Sequence, residues 1–384
     1  MTRHSVTASY MPQLDGLRAL AIGAVLLHHF SHSADIGQVN FATLGVWLFF
    51  VLSGFLITKI LLASRDQVNT LGYRSAFVLR QFYVRRFLRI FPLYYSVLAV
   101  AAILDLDEVR ETIIWHLAYL SNYLFATLGY FQLVTAHFWS LSVEEQFYLF
   151  WPAVILFTPE RFLLKIIIAA IAVGPAFRGI GYFLDINGIA LYAVTLASLD
   201  TLGLGALLAY CSHHVAEKPM LLKQLSWCSL WMGIAGLTTL IVLRILENYH
   251  VIRPVMPYLW FMEPIFWALF FVWLVNGAAS GFPGIVGKFL QLRPIAYIGK
   301  ISYGIYVYHL FMGSLVPTVL AQSNIDFSLL PGWLQFGLLA GVTIGVAAIS
   351  WHLFEGPLNA LKRHFAYAEP NEGRERRQPT AVYL

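Results

Sequence analysis

Long apolar stretches separated by short polar segments run along almost the whole chain, and they restrict what it can fold into. A transmembrane helix needs about 20 mostly apolar residues. Segments that approach this length occur at residues 17–33, 42–63, 90–104, 141–158, 162–178, 195–212, 226–246, 257–276, 295–317 and 332–353. Only 12% of the 384 residues are charged, whereas soluble domains carry about twice that share. The sequence therefore predicts an all-α polytopic membrane protein with about ten transmembrane helices in a lipid bilayer.

Basic residues indicate how these helices are oriented. Cytoplasmic loops are enriched in Lys and Arg, and with the amino terminus inside, about 20 of the 25 basic residues fall on the cytoplasmic side. Both termini are therefore predicted to be cytoplasmic, and Arg178 is assigned to an outer loop. The moderately apolar segment 112–131 is predicted to be an outer or re-entrant segment, because an additional span there would move most of the later positive charge outside.

Composition also disfavours several classes of function. The two cysteines, Cys211 and Cys228, are too few for a disulfide scaffold, and no spacing of Cys and His indicates a metal site. Because cytoplasmic loops account for the net charge of +5, no nucleic-acid partner is predicted. We predict a membrane domain at residues 1–362, followed by a disordered basic cytoplasmic tail at 363–384.

The first predicted span carries two polar side chains on one face. Arg18 and His29 are eleven residues apart, which is about 20° past three full turns and about 16 Å along a helix axis. A guanidinium can bind an anion, and an imidazole can accept a proton near neutral pH. Asp15, one turn before Arg18, can pair with it. The alternative is that Arg18 anchors the membrane edge and His29 is a hydrogen-bonded interior histidine.

The fourth predicted span opens with a second polar face. Ser140, Glu144 and Tyr148 follow one another at intervals of four residues, and His137 lies about one turn earlier. Glu145 points about 100° away from Glu144. Two adjacent carboxylates at a membrane boundary can bind a cation, relay protons or position a hydroxyl substrate. A purely structural role is the less favoured interpretation, because ionisable groups inside membranes are costly.

A pair of arginines, Arg86 and Arg89, lies in the predicted inner loop that precedes the third span. Their spacing of about one helical turn allows two guanidinium groups to bind one phosphate. The alternative is that both are anchors on the cytoplasmic side.

The ninth predicted span carries a hydroxyl-rich face of its own, formed by Ser302, Tyr306 and His309. An aromatic belt at the membrane interface explains other tyrosines of this span. Two isolated acidic residues, Asp200 and Glu355, are interpreted as helix-packing or inner-boundary contacts.

Taken together, these motifs resemble those of the acyltransferase type three family, which comprises integral-membrane O-acyltransferases. The pair Arg18 and His29 reproduces the family's Arg, ten residues, His pattern, and 86–89 resembles its Arg-x-x-Arg element. Residues 137–152 resemble its Trp-Ser-Leu-x-x-Glu-Glu-Gln-Phe-Tyr segment, and 45–58 its second-helix signature. The resemblance covers roughly residues 10–362. Trp47 departs from it, because many relatives have a polar or acidic residue there.

The resemblance implies a donor, acetyl-coenzyme A or another short acyl-coenzyme A, that enters from the cytoplasm, with no permanently bound cofactor and no metal. Arg18, Arg86 and Arg89 would hold this donor. His29 would be the general base for the acceptor hydroxyl, or alternatively a transient acyl carrier. Glu144, Glu145 and Ser140 would be further catalytic residues that orient His29 or the acceptor. The substrate-binding or supporting residues would be Asp15, His137, Tyr306 and His309.

The acceptor is left open between two classes. A hydroxyl of a cell-surface or lipid-linked carbohydrate, such as lipopolysaccharide or exopolysaccharide, is the first expectation, and a small metabolite such as a macrolide is the second. A bacterial inner-membrane enzyme of the stand-alone form, without an SGNH-type hydrolase domain, is expected. A proton-coupled transporter or flippase is the alternative from another class, although we find no internal repeat of the kind many transporters show.

Overall fold

The computed structural model describes residues 11–31, 40–253, 255, 259–365 and 367, and within these ranges the chain is helical and contains no strand. The predicted span ends at 32–33 and 257–258, and most of the predicted tail at 363–384, lie outside these ranges. The helices are α1 (Pro12–Phe30), α2 (Phe41–Leu71), α3 (Ser75–Ile103), α4 (Val109–Leu117), α5 (Ser121–Leu128), α6 (Phe138–Phe157), α7 (Glu160–Phe183), α8 (Gly188–Ala193), α9 (Leu199–His214), α10 (Pro219–Asn248), α11 (Glu263–Ser280), α12 (Gly284–Leu290), α13 (Arg293–Lys300), α14 (Ser302–Gln322), α15 (Gly332–Ser350) and α16 (Gly356–Ala360).

Each of the ten predicted spans coincides with a long helix, so the all-α polytopic architecture is confirmed. Eight helices of the described residues are long and apolar enough to cross a membrane. The long helices α1 and α6 are not in this group, because each carries several polar and charged side chains in its apolar sequence. These two helices also carry most of the candidate site residues. The assignment of the termini and loops to the two sides of the membrane stays a prediction from the distribution of basic residues.

The third helix differs from its prediction. It begins at Ser75, fifteen residues before the predicted start of the span, and Arg86 and Arg89 therefore lie inside a 29-residue helix and not in a loop. The preceding helix ends at Gly72, whose φ of 73° is left-handed, a conformation that glycine adopts without strain. The prediction was wrong because the charges masked an apolar face, on which Val78 and Phe82 are fully buried.

Arg178 also lies elsewhere than predicted. It is buried inside α7 and forms an ion pair of 2.5 Å with Asp200 of α9. Its other N–H groups donate to the carbonyl oxygens of Phe261, at 2.9 Å, and Ala197. A buried arginine needs such a set of partners, and the assignment to an outer loop was wrong because hydropathy does not show them. Asp200 is a helix-packing contact, as predicted.

The segment 112–131 contains no helix that could cross a bilayer. It is folded into the two short helices α4 and α5, of nine and eight residues, whereas the hydrocarbon core is about 30 Å thick and a helix rises about 1.5 Å per residue. His116 is buried between them, where its Nδ1 lies 2.8 Å from the Ser121 hydroxyl. Burial lowers the pKa of His116 to about 4, so this side chain stays neutral at pH 7.

Close helix packing fixes α2 beside the candidate site. A Cβ at Gly54 would lie 2.0 Å from the carbonyl oxygen of Leu202 in α9, and one at Gly205 would lie 2.1 Å from that of Val51. Glycine at both positions therefore lets the two backbones touch, as is typical of membrane helices. Since Ser53 directly precedes Gly54, this contact also fixes the position of the Ser53 hydroxyl.

Candidate active site

A cavity that opens to solvent lies among α1, α2, α3, α6 and α14. Nine of the side chains singled out from the sequence line it together, although they are far apart in the chain. These nine are Arg18, Arg86, Arg89, Ser140, Glu144, Glu145, Tyr148, Ser302 and Tyr306. Helical periodicity places the polar side chains of each segment on one face of its helix. The packing of the helices then turns these faces towards the same cavity.

Three guanidinium groups form one end of the cavity, which we call the arginine end: those of Arg18, Arg86 and Arg89. Arg18 donates to Asp15 at 2.8 Å, as the sequence spacing predicted. Arg89 lies within electrostatic range of both other arginines. Arginines held together in this way repel one another, so the arginine end suits a ligand that carries several negative charges.

The carboxylate of Glu144 is held in the same cavity by a hydroxyl from α2. Ser53 donates to Glu144 at 2.5 Å, and the Tyr148 hydroxyl donates to Ser53 at 2.9 Å. Arg86 acts electrostatically on Glu144, so the carboxylate and the arginine end are coupled. In the sequence Ser53 stands near the small residues Gly45 and Gly54, a pattern typical of close helix contacts. No local signal showed that its hydroxyl meets a glutamate of another helix.

Two hydroxyls close the cavity between α6 and α14. Ser140 and Tyr306 share a hydrogen bond of 2.5 Å, and both lie within hydrogen-bond distance of the His137 carbonyl oxygen, at 3.1 and 3.3 Å. Ser140 and Tyr306 are also buried. The hydroxyl-rich face predicted for the ninth span therefore meets the polar face of the fourth.

Two buried histidines, His309 and His137, lie next to the hydroxyls of Ser140 and Tyr306. His309 donates from Nδ1 to the carbonyl oxygen of Tyr306 at 2.6 Å, and His137 donates from Nε2 to that of Val307 at 3.0 Å. A carbonyl only accepts, so both tautomers are fixed. Nε2 of His309 and Nδ1 of His137 are consequently lone-pair acceptors, and both are buried without a hydrogen-bond partner in the described part of the chain.

His29 lies at the far end of this row, on the last turn of α1. Its ring centroid is 5.1 Å from that of His309, and the His309 centroid is 4.8 Å from that of His137. Unlike His309, His29 is exposed, and it does not line the cavity. The row of rings therefore connects an accessible imidazole to the hydroxyl pair at the cavity wall.

The expected partnership between His29 and a glutamate is not present in this arrangement. Across the described residues, no hydrogen bond or ion pair joins His29 to Glu144 or Glu145, and Glu144 is bonded to Ser53. The histidine that meets His29 is His309, from the ninth predicted span. The sequence pattern placed both residues in polar faces, but the pairing between α1 and α14 becomes visible only in three dimensions.

Glu355 occupies a site close to the arginine end. It is buried, accepts a hydrogen bond of 3.0 Å from Ser350, and lies within electrostatic range of Arg89. It therefore helps to balance the charge of the arginines, and of the two contacts predicted for it the structure shows packing against neighbouring residues.

Comparison with known proteins places these features in a family. Residues 11–352 match a family model described as an acyltransferase domain. The chain is 30% identical over 378 residues to the peptidoglycan O-acetyltransferase OatA of Listeria monocytogenes serovar 1/2a (strain EGD-e), which covers 93% of this chain and 57% of that protein. It is 28% identical over 395 residues to the O-acetyltransferase OatA of Staphylococcus aureus (strain NCTC 8325), with 98% and 62% covered.

The chain thus spans about three fifths of the length of these curated relatives. No solved structure matches it. Because the family model covers nearly the whole sequence, and the motifs of that resemblance meet in one cavity, the chain belongs to this family of membrane acyltransferases.

Proposed function

We propose that the protein is a membrane O-acyltransferase that moves an acetyl or other short acyl group from acyl-coenzyme A to a hydroxyl of a cell-surface or lipid-linked carbohydrate. The observation that carries the proposal is the joint lining of one cavity by three arginines, a glutamate and a hydroxyl pair. The relatives include a protein named as a peptidoglycan O-acetyltransferase, which supports a carbohydrate acceptor. We further propose that the protein lies in the bacterial inner membrane with the arginine end of the cavity facing the cytoplasm.

The arginine end is the part of the cavity that suits the donor. Coenzyme A carries several phosphate charges, and guanidinium groups bind phosphate through paired, charge-assisted hydrogen bonds. Arg86 is further held by aromatic rings, since its guanidinium lies 5.7 Å from the Phe82 centroid and 5.5 Å from that of Tyr148. With the phosphates at the arginines, the extended pantetheine arm points past Glu144 towards the hydroxyl pair.

The transfer itself needs a base for the acceptor hydroxyl. As its neutral imidazole, His29 takes the hydroxyl proton while the acceptor oxygen forms a bond to the thioester carbonyl carbon. The carbon–sulfur bond then breaks, and the coenzyme A thiolate leaves and takes up a proton. His309, whose Nε2 lone pair has no hydrogen-bond partner among the described residues and whose ring centroid lies 5.1 Å from that of His29, would accept a hydrogen bond from the other N–H of His29 as the positive charge develops.

Glu144 acts at the opposite side of the reacting carbonyl in this proposal. Fixed by Ser53, it orients the bound donor or the acceptor, and Glu145 assists it. The Ser140 and Tyr306 pair has one hydroxyl proton outside its mutual hydrogen bond, and in this proposal that proton turns from the His137 carbonyl oxygen to the position where charge develops on the reacting carbonyl oxygen.

A transfer assay with purified protein tests the proposal and separates it from a proton-coupled transporter. The protein in detergent, without any gradient, is expected to release coenzyme A from acetyl-coenzyme A when an acceptor glycan is present. His29→Ala is expected to lose at least a hundredfold in turnover, whereas the adjacent His28→Ala is the matched control and keeps most of it. Near-normal turnover by His29→Ala would remove the base from the mechanism, and absence of any turnover by the native protein would favour a transporter.

The acceptor class requires a separate experiment. Mass spectrometry of the surface glycans from a strain that lacks the protein is expected to show the loss of an acyl mass increment. Loss of that increment from a secreted small metabolite, with unchanged glycans, would overturn the carbohydrate assignment.

A further inference from the structure

The side chain of Tyr148 contacts both charged parts of the cavity. Its hydroxyl donates to Ser53 at 2.9 Å, and Ser53 donates to Glu144 at 2.5 Å. Its ring lies beside Arg86, whose guanidinium carbon is 5.5 Å from the ring centroid. All four side chains line the cavity. The arginine end and the carboxylate of Glu144 are therefore linked through one tyrosine.

Helical spacing explains why Tyr148 reaches both parts. Glu144 and Tyr148 are four residues apart in α6, so they lie on one face of that helix. Tyr148 is buried, and a buried tyrosine hydroxyl usually has a hydrogen-bond partner. Ser53 of α2 provides this partner, and it is held in place because the adjacent Gly54 packs against the backbone of Leu202.

The hydroxyl protons of this group point in one direction. An ionised carboxylate only accepts hydrogen bonds, so the proton of Ser53 is directed to Glu144, and the Ser53 oxygen accepts from Tyr148. A serine hydroxyl by itself rotates to suit its surroundings. The hydrogen bond from Tyr148 favours the one orientation in which Ser53 faces Glu144, and hydrogen bonds in such a chain strengthen one another. Tyr148 thus acts on the orientation of a carboxylate that it reaches through Ser53.

The ring of Tyr148 acts on the arginine end. Arg86 contacts two aromatic rings, with its guanidinium carbon 5.7 Å from the Phe82 centroid and 5.5 Å from that of Tyr148. Phe82 belongs to α3, like Arg86 itself, whereas Tyr148 belongs to α6. A cation–π contact orients a guanidinium group and leaves its N–H groups available for phosphate. The contact with Tyr148 therefore fixes Arg86 relative to the helix that carries Glu144.

We propose that Tyr148 is a positioning residue that couples the donor-binding part of the site to its carboxylate. The ring orients Arg86 for the donor phosphates, and the hydroxyl orients Glu144 through Ser53. The inference rests on the proposed function, because it takes acyl-coenzyme A as the donor. One rigid side chain then keeps the phosphate-binding group and the carboxylate in a fixed relation, which favours transfer because reaction rates depend steeply on the geometry of bound groups.

Two substitutions separate the two contacts of Tyr148 in steady-state assays of the full chain in detergent. Tyr148→Phe keeps the ring beside Arg86 and removes only the hydroxyl. With acetyl-coenzyme A we expect its kcat to fall about 3- to 10-fold, the range for one lost hydrogen bond, and its KM to stay within about twofold of the native value. A native kcat in Tyr148→Phe would contradict the role of the hydroxyl.

Tyr148→Leu removes the ring as well as the hydroxyl. Its KM for acetyl-coenzyme A should therefore rise about 3- to 30-fold above that of Tyr148→Phe, in line with the loss of a cation–π contact. Equal KM values in the two variants would contradict the role of the ring. If Tyr148→Leu cannot be purified, Tyr148→Met takes its place in the same comparison.

A second hydrogen bond between α2 and α6 provides the matched control. Trp151 of α6 donates from Nε1 to the hydroxyl of Thr58 in α2 at 2.8 Å, and neither residue lines the cavity. Thr58→Val removes this hydrogen bond with little change of shape, and we expect its kcat and KM to stay close to the native values. A loss of kcat as large as that of Tyr148→Phe would contradict the inference, because any weakened contact between the two helices would then have the same effect.

A double-mutant cycle tests whether the Tyr148 hydroxyl acts through Ser53. Ser53→Ala removes the hydroxyl that contacts Glu144 and should lower kcat at least as much as Tyr148→Phe. Residues that act in one chain of hydrogen bonds give non-additive effects, so Tyr148→Phe should change kcat little when Ser53→Ala is already present. Two independent losses that multiply in the double variant would overturn the proposed route through Ser53.

Failure of this inference can be told from failure of the proposed function. If the native protein transfers acetyl groups from acetyl-coenzyme A and Tyr148→Phe has the native kcat, the inference about Tyr148 is wrong and the proposed function stands. If the native protein uses no acetyl-coenzyme A at all, the proposed function is wrong and the inference is wrong with it.

Discussion

Replacement of His309 by phenylalanine tests how His29 is positioned. The Nδ1–H of His309 is committed to the Tyr306 carbonyl oxygen at 2.6 Å, which leaves Nε2 as an acceptor. The His29 ring centroid lies 5.1 Å away, and Nε2 of His309 has no hydrogen-bond partner among the described residues, so it is free to accept from His29 when that ring becomes charged. Phenylalanine fills a similar volume in this fully buried position but accepts no hydrogen bond from His29.

The size of the effect follows from the charge on His29 during transfer. A hydrogen bond to a charged group contributes about 1.5–3 kcal/mol, and about 1.36 kcal/mol corresponds to a tenfold change in rate. We therefore expect kcat to fall by about 10- to 150-fold in His309→Phe. The donor KM should change little, because His309 does not line the cavity.

The assay is initial-rate release of coenzyme A by the purified variant, together with its thermal unfolding midpoint in the same detergent. His28→Ala serves as the control for a change beside His29, because its ring also lies close, with a centroid distance of 5.3 Å. A kcat within threefold of the native value, in a variant that unfolds at the native temperature, would refute the claim that His309 positions His29.

Two further predictions concern the fold. Arg178→Ala should destabilise the protein by about 3–5 kcal/mol, because it leaves the Asp200 carboxylate buried without its ion pair; the measure is the unfolding midpoint in detergent, and an unchanged midpoint would contradict it. Gly54→Ala should also lower that midpoint, because its Cβ would lie 2.0 Å from the Leu202 carbonyl oxygen. Gly23→Ala is its matched control, since a Cβ there meets nothing within 4 Å, and equal effects of the two substitutions would argue against tight packing of α2 on α9.

Hydropathy and helical periodicity were sufficient for much of this account. Apolar stretches located every long helix, and the three-residue spacing from Asp15 to Arg18 correctly predicted their ion pair. The separate polar faces of α1, α3 and α6 were also identified, and they converge because a bilayer allows charged side chains to be buried only where they meet partners or water. Charge in an apolar chain is thus a strong local signal.

Pairing between helices is what the sequence could not provide. Whether Glu144 meets His29 or Ser53 depends on the relative rotation and depth of α1, α2 and α6, and no single segment encodes these. Arg178 looked like a loop residue for the same reason, because its partner Asp200 is on another helix.

The central claim is that the arginine end binds the phosphates of the acyl donor, and equilibrium binding of coenzyme A to the purified protein tests it most directly. Arg86→Ala removes a guanidinium that lines the cavity, whereas Arg80→Ala removes an exposed one from the same helix. At about 1.5–3 kcal/mol for a hydrogen bond between charged groups, we predict that Arg86→Ala raises the Kd by about 10- to 150-fold and that Arg80→Ala leaves it unchanged. Equal Kd values for Arg86→Ala and the native protein would contradict the account.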